Sequence, residues 1–365
     1  MVLHILSDDK FTDYAIKQFQ AEEMQSEMVV IPSGAGHLFT ICDKVRVISY
    51  PSSQFMELLS NLGNYSGIIL HGIFWKYCED IIIATPQNVK IAWYFWGGEL
   101  YSRPDVLGQF LAPLTKFLYK LHVLRKRKFS SVVWRLPLNL FQRIDYCLSD
   151  EEEEFFFAKQ YIGSKIKYLW YSCYSLEETV GSLIDKYSSG SNIMLCNSAA
   201  LESNVFDAIL RLHKPSYRKK IKDQNVIMPL SYGSLWIKNL MLRIGSKCFR
   251  HFIPIVDFIP REEYNRILLN CSTIILPYYS PAAQGNIITA LWLGMRVYLS
   301  GKSISYNYFK RLGIYIYSFE TDFVEFGFSM LSNDEVEHNR EILRKEYGKI
   351  NVIAKAKQLI HELNK

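Results

Sequence analysis

The sequence predicts an α/β protein with two Rossmann-like domains and a cleft between them. The chain has 365 residues, which is more than one ordinary hydrophobic core holds. Apolar runs of strand length alternate with stretches of helical period, and this alternation predicts βαβ units and parallel sheets. Hydrophobic residues make up 49% of the chain, so the sequence can bury large cores and is not that of a disordered protein.

We place residues 1–165 in the first domain and residues 166–365 in the second. The predicted strands of the first domain are Val2–Leu6, Met28–Ile31, Val45–Ser49, Gly67–His71, Lys90–Phe95 and one around Asp145–Leu148. Those of the second are Lys167–Trp170, Asn192–Cys196, Asn225–Pro229, Thr273–Pro277 and Arg296–Leu299. The predicted helices between strands are Asp13–Glu23, Ser52–Leu62, Asn204–His213, Arg261–Asn270 and Gly285–Leu293. The acidic run Glu151–Glu154 has the composition of an ordinary first helical turn.

The lack of a secretory signal and the scattered cysteines predict a cytoplasmic protein. The segment Met1–Asp9 has neither the basic start nor the long apolar stretch of a secretory signal. No apolar run reaches the roughly 18 residues that a membrane span needs. The seven Cys residues are scattered without C-x-x-C spacing, which is typical of small buried side chains in a reducing compartment.

Small polar side chains follow two predicted strands of the second domain. Asn197 and Ser198 come directly after one strand, and Ser203 and Asn204 stand before the next helix. Ligands of open parallel sheets bind at the carboxyl ends of the strands, so these residues are candidates for binding a phosphate or a ribose. Helix capping is the alternative role of Ser203 and Asn204. Tyr232, which follows another strand, is a further candidate, and a plain turn is its alternative.

The sharpest candidate for anion binding is the start of the next helix, at Gln284, Gly285 and Asn286. A glycine beside a helix N-terminus leaves backbone N–H groups and the positive end of the helix dipole open to an anion. The chain has no Asp or Glu from residue 264 to residue 319, which suits a pyrophosphate ligand. A buried sheet that simply lacks charges is the alternative explanation.

Three side chains at predicted strand ends of the first domain are candidates for a general base. Asp8 follows the first strand, His71 ends the fourth, and Glu99 comes after two glycines that permit close approach of a backbone. A lone His after a strand is more often a core residue than a catalytic one. Glu99 also stands near Trp96 and Tyr101, which is typical of a site where a sugar ring stacks.

The sequence lacks the motifs of several other enzyme classes. It contains neither G-x-G-x-x-G nor G-x-x-x-x-G-K-[ST], so neither a dinucleotide-dependent oxidoreductase nor a P-loop NTPase is indicated. It has no Asp-x-Asp and no His, Cys and Asp residues with metal-ligand spacing. We therefore predict a metal-independent enzyme without a cofactor, in which helix N-termini and basic side chains neutralise a diphosphate.

Basic residues are concentrated in one segment of a chain whose net charge is +6. Residues 116–143 include no acidic side chain, and basic residues alternate there with Phe, Leu, Tyr and Trp. This pattern is typical of a segment that lies on anionic lipid, and a solvated basic helix is its alternative. No nucleic-acid-binding motif accompanies the segment. The residues that we expect at the membrane are Lys116, Lys120, Arg125, Lys126, Arg127 and Lys128.

Taken in order, these motifs resemble one family, the 4-α-L-fucosyltransferase-like glycosyltransferases that transfer Fuc4NAc to lipid II in enterobacterial common antigen synthesis. The resemblance extends over residues 2–311. The segments that carry it are 4–8 (His-Ile-Leu-Ser-Asp), 71–74 (His-Gly-Ile-Phe), 93–101 (Trp-Tyr-Phe-Trp-Gly-Gly-Glu-Leu-Tyr), 197–198 with 203–204, 228–232 (Met-Pro-Leu-Ser-Tyr) and 284–286 (Gln-Gly-Asn).

The resemblance implies a GT-B fold, a dTDP-activated amino-dideoxy sugar as the donor and an undecaprenyl-diphosphate-linked saccharide as the acceptor. It places the protein on the cytoplasmic face of the inner membrane, in surface polysaccharide synthesis of the lipopolysaccharide O-antigen type. Two departures leave the donor sugar open: the family has Asp where this chain has Glu99, and Arg-Gln-Gln-Gly where this chain has Ala282-Ala283-Gln284-Gly285. The alternatives are a GT-B-shaped sugar-nucleotide epimerase and a non-catalytic scaffold at the membrane.

Overall fold

The computed structural model describes residues 1–9, 11–20, 24–32, 40, 42–125 and 135–365, except the side chain of Arg125. The strands are β1 (Val2–Ser7), β2 (Ser26–Ile31), β3 (Arg46–Val47), β4 (Gly67–His71), β5 (Lys90–Tyr94), β6 (Tyr146–Ser149), β7 (Lys167–Trp170), β8 (Asn192–Leu195), β9 (Asn225–Pro229), β10 (His251–Ile255), β11 (Cys271–Leu276), β12 (Arg296–Leu299) and β13 (Tyr317–Ser318).

The helices alternate with these strands for most of the chain. They are α1 (Thr12–Gln20), α2 (Ser53–Ser60), α3 (Lys76–Ala84), α4 (Gly98–Tyr101), α5 (Pro104–Leu107), α6 (Pro113–Arg125), α7 (Glu152–Ile162), α8 (Leu176–Val180), α9 (Val205–Leu212), α10 (Pro215–Ile221), α11 (Leu235–Cys248), α12 (Arg261–Leu269), α13 (Gln284–Trp292), α14 (Ile304–Arg311), α15 (Phe323–Phe326), α16 (Asn333–Tyr347) and α17 (Lys349–Asn364).

The chain forms two compact units, each with one parallel sheet. The first unit comprises Met1–Ser102, Ser131–Ser175 and Tyr347–Lys365, and its sheet has the order β3-β2-β1-β4-β5-β6-β7. The second comprises Arg103–Ser130 and Leu176–Glu346, and its sheet has the order β10-β9-β8-β11-β12-β13. The central strands are continuous apolar runs because helices cover both faces of a parallel sheet. The prediction of two Rossmann-like α/β domains is confirmed.

The two units do not correspond to a single division of the chain at residue 165. Strand β7 pairs with β6, with Tyr146 opposite Lys167, and so belongs to the first sheet. Helix α17 also returns to the first unit, where a Cβ on Gly67 would come within 2.9 Å of Leu363. The side chains Val352, Ala356, Leu359 and Leu363 of α17 are buried, and this apolar face explains why the C-terminal helix packs there.

Two strands of the second sheet were not predicted. Strand β10 lies at the edge of the sheet, where its side chains are exposed or half-buried and Pro254 is tolerated. Strand β13 is only two residues long. The sequence prediction missed β10 because its side chains are partly exposed, and missed β13 because it is too short to give a strand pattern.

The chain order reverses once in each sheet. In the first sheet the reversal lies between β1 and β4, and in the second it lies between β8 and β11. Open parallel sheets bind ligands outside the carboxyl ends of the strands at such a switch point, because the loops on its two sides diverge there. The topology therefore places one candidate binding position in each unit.

The segment that contains α5 and α6 belongs to the second unit, although it precedes β6 in the chain. Asp207 of α9 accepts hydrogen bonds from the backbone N–H of Leu114 (2.9 Å) and from the backbone N–H (2.8 Å) and hydroxyl (2.7 Å) of Thr115. Asn204 accepts from the Ala112 N–H at 2.8 Å and donates to the Phe110 carbonyl at 2.9 Å. These two side chains fix the start of α6.

Among the described helices, none has both the length and the apolar character needed to cross a bilayer. All seven Cys residues are free, and Cys78, Cys147, Cys173, Cys196 and Cys271 are buried. Five of the seven cysteines are thus buried, as their spacing predicted, and Cys42 and Cys248 are half-buried.

We expect Asp207→Ala to lower the free energy of unfolding of the second unit by about 1–2 kcal/mol, because the first turn of α6 loses its acceptor. Urea unfolding followed by circular dichroism measures the change. Asp223→Ala is the matched control, since Asp223 makes only an exposed ion pair with Arg250 and such pairs contribute less than about 1 kcal/mol. Equal effects of the two substitutions would contradict the anchoring role of Asp207.

Candidate functional site

The loops after β8 and β9 are joined at the carboxyl edge of the second sheet. The Ala199 N–H donates to the Tyr232 carbonyl at 2.7 Å, and the Ser234 N–H donates to the Ala199 carbonyl at 2.9 Å. Gly233 has φ +107°, and a Cβ there would come within 2.3 Å of the Ala199 carbonyl oxygen. Only glycine fits this position, so Gly233 allows the backbone after Tyr232 to pair with the loop after β8. The Tyr232 ring itself is exposed and lies 6.1 Å from that of Phe258.

The loops after β8 and β11 meet at the switch point of the second sheet. The Tyr278 hydroxyl, directly after β11, donates to the Asn197 side-chain oxygen and lies 3.3 Å from the Ser198 hydroxyl oxygen. Burial raises the pKa of Tyr278 well above its usual range, so the phenol remains a neutral donor. Asn197 and Ser198 are half-buried. The structure thus brings Tyr278 to these two consecutive predicted residues at the edge of the sheet.

Ser203 and Asn204 have internal partners. The Ser203 hydroxyl is buried and donates to the Ala200 carbonyl at 2.7 Å. Asn204 has φ +50°, and its amide also donates to the Pro277 carbonyl at 3.3 Å. Its side chain makes no capping bond to α9. Asn204 therefore links the start of α6 to the end of β11, a tertiary role that helix-capping rules do not predict.

Helix α13 begins beside this edge with the predicted residues Gln284, Gly285 and Asn286. The residue before it, Ala283, has φ +61°, a conformation that costs a non-glycine residue about 1 kcal/mol or more. A Cβ on Gly285 would lie 3.8 Å from the Thr179 methyl, which is an ordinary van der Waals contact, so this position has room for a small group. The Asn286 side-chain oxygen accepts a hydrogen bond from the Tyr264 hydroxyl at 3.1 Å.

The charges around the start of α13 are not all positive. Lys302 lies with its Nζ 5.3 Å from the centre of the Tyr279 ring, in the loop after β12. The Glu320 carboxylate organises the same loop, since it accepts hydrogen bonds from the Gly301 N–H and the Ser300 hydroxyl, each at 2.8 Å. The chain segment that has no acidic residue ends directly before this Glu320. The sequence pattern therefore overstated the positive character of this edge.

In the first unit, the candidate bases Asp8 and His71 contact a loop residue and a residue of β1. Asp8 accepts hydrogen bonds from the backbone N–H and the hydroxyl of Thr40, at 2.9 and 2.7 Å. His71 is buried, and its Nε2 lies 3.0 Å from Nδ1 of His4. Burial lowers the pKa of His71 to about 3, so His71 is a neutral core residue, as the more common role of a His after a strand suggested.

Glu99 is the third candidate and is 7% exposed. Its Oε1 accepts hydrogen bonds from the Ile73 N–H (3.2 Å), the Trp93 indole N–H (3.2 Å) and the Trp96 N–H (3.5 Å). Its Oε2 is enclosed and has no hydrogen-bond partner among the residues that the structure describes. The hydrogen bonds from these donors lower the pKa of Glu99, but the loss of hydration on burial has the larger effect and raises this pKa to about 7. A carboxyl with this pKa exchanges its proton near neutral pH, as a general base must.

Glu154 is a second buried carboxyl. It belongs to the acidic run that the sequence predicts as an ordinary first helical turn. It does lie in the first turn of α7, but it is buried and accepts hydrogen bonds from the Tyr101 hydroxyl (3.0 Å) and the Ser149 hydroxyl (2.6 Å). Burial raises the pKa of Glu154 to about 8, and the charges of Asp150 and Glu99 add to this effect. Its burial depends on Tyr101 covering it, which no local pattern indicates.

Aromatic rings border this edge of the first sheet. Trp96 lies 4.7 Å from Tyr94 and 5.1 Å from Phe11, measured between ring centres, and is half-buried. Tyr101, which we expected to stack on a sugar together with Trp96, is buried and bonded to Glu154. The stacking expectation is therefore wrong for Tyr101, because its ring points into the core.

The basic segment is described only in part. Lys116 and Lys120 lie on α6, and the Lys116 Nζ donates to the Gly108 carbonyl at 3.0 Å. Lys126, Arg127, Lys128 and the side chain of Arg125 lie outside the described residues. The exposed apolar side chains of α6 are Phe117, Val123 and Leu124. On the same helix His122 stacks on Trp236 of α11, with ring centres 4.1 Å apart.

No family model and no curated protein matches the sequence. Solved structures match over the whole chain. OtsA is similar with a TM-score of 0.61 and 10% identity, covering 100% of this chain and 99% of its own. The lipopolysaccharide outer core galactosyltransferase WaaB has a TM-score of 0.59 and 9% identity, covering 99% of each chain. HepE from Anabaena, solved in complex with UDP and glucose, has a TM-score of 0.51 and 10% identity, covering 100% of this chain and 96% of its own. The GT-B fold is confirmed.

The raised pKa of Glu154 predicts a pH-dependent stability. Ionising Glu154 costs free energy as the pH rises from its ordinary pKa of 4.5 through about 8, so the contribution of this residue to stability is complete below pH 4.5 and lost above pH 8. We expect Glu154→Gln to raise the Tm at pH 9 by several degrees and to leave it nearly unchanged at pH 4.5. Glu153→Gln, in the same helical turn, is the control. A pH-independent difference for Glu154→Gln would contradict the assignment.

Proposed function

We propose that this protein is a glycosyltransferase that moves a sugar from a nucleotide diphosphate donor to a lipid-linked saccharide. The observation that carries the proposal is the N-terminus of α13, with Gly285 in its first turn, beside the switch point of the second sheet and within a fold shared by WaaB and HepE. A helix N-terminus supplies N–H donors and positive potential to a diphosphate. No divalent metal is required in this proposal.

The second unit binds the donor in this proposal. Gln284, Gly285 and Asn286 bind the diphosphate at the start of α13, and Lys302 adds a positive charge at the neighbouring loop. Asn197 and Ser198, held by Tyr278, bind the nucleoside together with the exposed Tyr232 ring. Ser203 and Asn204 act indirectly, because their side chains hold the loop in place.

The first unit binds the acceptor in this proposal, with Glu99 as the general base. The Glu99 carboxylate accepts the proton of an acceptor hydroxyl while that oxygen bonds to the anomeric carbon of the donor sugar. The bond from the anomeric carbon to the diphosphate breaks, and the nucleoside diphosphate leaves. Asp8 and His71 are the weaker candidates, because Asp8 is engaged with Thr40 and His71 is buried beside His4.

The finer identity follows the sequence resemblance. We propose a dTDP-activated, Fuc4NAc-like donor and an undecaprenyl-diphosphate-linked acceptor, in the synthesis of enterobacterial common antigen or of a lipopolysaccharide O-antigen. The protein then acts as a peripheral protein on the cytoplasmic face of the inner membrane. The exposed apolar residues of α6 and the basic residues that follow them support this placement.

We expect Glu99→Gln to abolish transfer while leaving donor binding intact. A panel of dTDP- and UDP-sugars is first tested for thermal stabilisation of the wild-type protein, and the best donor is then used in a transfer assay containing EDTA. For the wild type, kcat/KM should rise with pH through about 7, following the pKa of Glu99. Loss of activity in EDTA would restore a role for a metal.

Matched variants make this assay specific to Glu99. Glu153→Gln removes a carboxylate from the same unit and should keep both the rate and the pH profile. Transfer by Glu99→Gln at the wild-type rate would refute the base assignment. Isomerisation of the donor without an acceptor would instead indicate an epimerase, and donor binding without turnover would indicate a scaffold.

Replacing residues 125–128 (Arg-Lys-Arg-Lys) with Gln should release the protein from anionic vesicles. Each basic residue near such a surface contributes about 1 kcal/mol, so the loss of four should weaken co-sedimentation at least about a hundredfold. The control replaces Arg218, Lys219, Lys220 and Lys222 with Gln, which removes the same charge from another basic surface of the second unit. Equal release by both variants would show that net charge alone determines binding.

A further inference from the structure

Phe74 lies in the loop directly after β4, which forms one side of the switch point of the first sheet. Its side chain is 38% exposed, and that of the adjacent Trp75 is 41% exposed. Two large aromatic side chains in succession at the carboxyl edge of a parallel sheet are costly to leave in water. The switch point is also where open parallel sheets bind their ligands, so this exposed aromatic surface stands where a ligand is expected.

The Phe74 ring is seated on two glycines. A Cβ on Gly72 would come within 2.9 Å of the ring and within 3.0 Å of Trp96, and a Cβ on Gly98 would come within 3.1 Å of the ring. Gly72 has φ +97° and needs glycine for its backbone as well. Gly98 opens helix α4 and has no such φ. The missing side chain at Gly98 therefore makes room for the Phe74 ring.

This seat adjoins the Glu99 carboxyl. Gly98 is the neighbour of Glu99 in the chain, and the residue before Phe74, Ile73, donates its N–H to Glu99 Oε1 at 3.2 Å. The other carboxyl oxygen, Oε2, is enclosed and accepts no hydrogen bond within the described part of the chain. A base whose free oxygen is enclosed cannot reach a hydroxyl until a neighbouring group moves. The Phe74 ring lies against Gly98, the neighbour of Glu99 in the chain, and is partly exposed.

We propose that Phe74 is a positioning residue for the acceptor: its ring closes the approach to the Glu99 carboxyl in the free protein, and a sugar ring of the acceptor takes the seat over Gly72 and Gly98. This inference rests on the proposed function, in which Glu99 is the base. The displaced Phe74 ring then packs against the apolar face of the sugar, together with Trp96, and water stays excluded from the carboxyl.

The first test measures the ionisation of Glu99 without any substrate. Carboxyl ¹³C NMR of ¹³C-Glu-labelled protein, with Glu99→Gln to assign the resonance, follows the pKa of Glu99, which burial raises to about 7. Phe74→Ala should lower this pKa toward 4.5 because water reaches the carboxyl. Phe156→Ala, which removes a 54% exposed ring from α7 of the same unit, should leave it unchanged. An unchanged pKa in Phe74→Ala would overturn the proposal.

The second test uses the seat itself. Gly98→Ala should push the ring slightly outward, because its Cβ would come within 3.1 Å of the ring, and should lower the pKa of Glu99 less than Phe74→Ala does. In the Phe74→Ala background the same substitution should have no further effect, since its Cβ then meets no ring. Additive effects of the two substitutions would show that Gly98 and Phe74 act independently. This result would refute the proposal that the Phe74 ring lies over Gly98 to close the approach to Glu99.

Transfer assays separate this inference from the proposed function. Phe74→Ala should raise the KM for the acceptor about tenfold, leave the KM for the donor unchanged and shift the rising limb of the pH profile to lower pH. If the NMR pKa falls but no donor supports transfer, the closure by Phe74 stands and the proposed function fails. If transfer occurs and the acceptor KM and pH profile of Phe74→Ala equal those of the wild type, Phe74 has no positioning role.

Discussion

Parallel pairing of the strands is the constraint on which the rest of this structure depends. Every strand of both sheets pairs in parallel with its neighbours among the described residues, so every connection crosses to the other end of the sheet. All carboxyl ends of one sheet therefore lie along one edge. The residues after β1, β4 and β5 meet at that edge in the first unit, and those after β8, β9 and β11 meet in the second.

Burial sets the chemistry of the edge in the first unit. Glu99 and Glu154 are both enclosed, and loss of hydration is the largest cause of the raised pKa of each. Their surroundings differ, because both oxygens of Glu154 accept a hydrogen bond whereas Oε2 of Glu99 has no partner. A carboxyl whose two oxygens accept hydrogen bonds stabilises the turn that it joins. A buried carboxyl oxygen without a donor costs free energy, and such groups are rare in native proteins unless they have a function. This contrast distinguishes Glu99 from its neighbour.

Most of the fold could be predicted from the sequence, because parallel strands are continuous apolar runs. Strands such as Gly67–His71 and Arg296–Leu299 were predicted with their exact bounds. The edge strands β10 and β13 were missed, since one is partly exposed and the other is very short. The candidate donor residues stay a prediction, which depends on the small polar residues that follow buried strands. The burial of Glu154 was not predicted, because its partner Tyr101 contacts it only in the folded chain. The role that we propose for Phe74 likewise depends on its contact with Gly98.

The sequence by itself determined the class of the fold and the edge at which polar residues collect, because hydrophobic periodicity and strand order are local properties of the chain. Only the tertiary structure decided which polar side chains have partners inside the protein. It assigned Asn204 to the anchoring of α6 and His71 to the core, and it returned α17 to the first sheet. Partners distant in sequence decide these roles, and burial against such partners is the physical quantity that a single sequence does not encode locally.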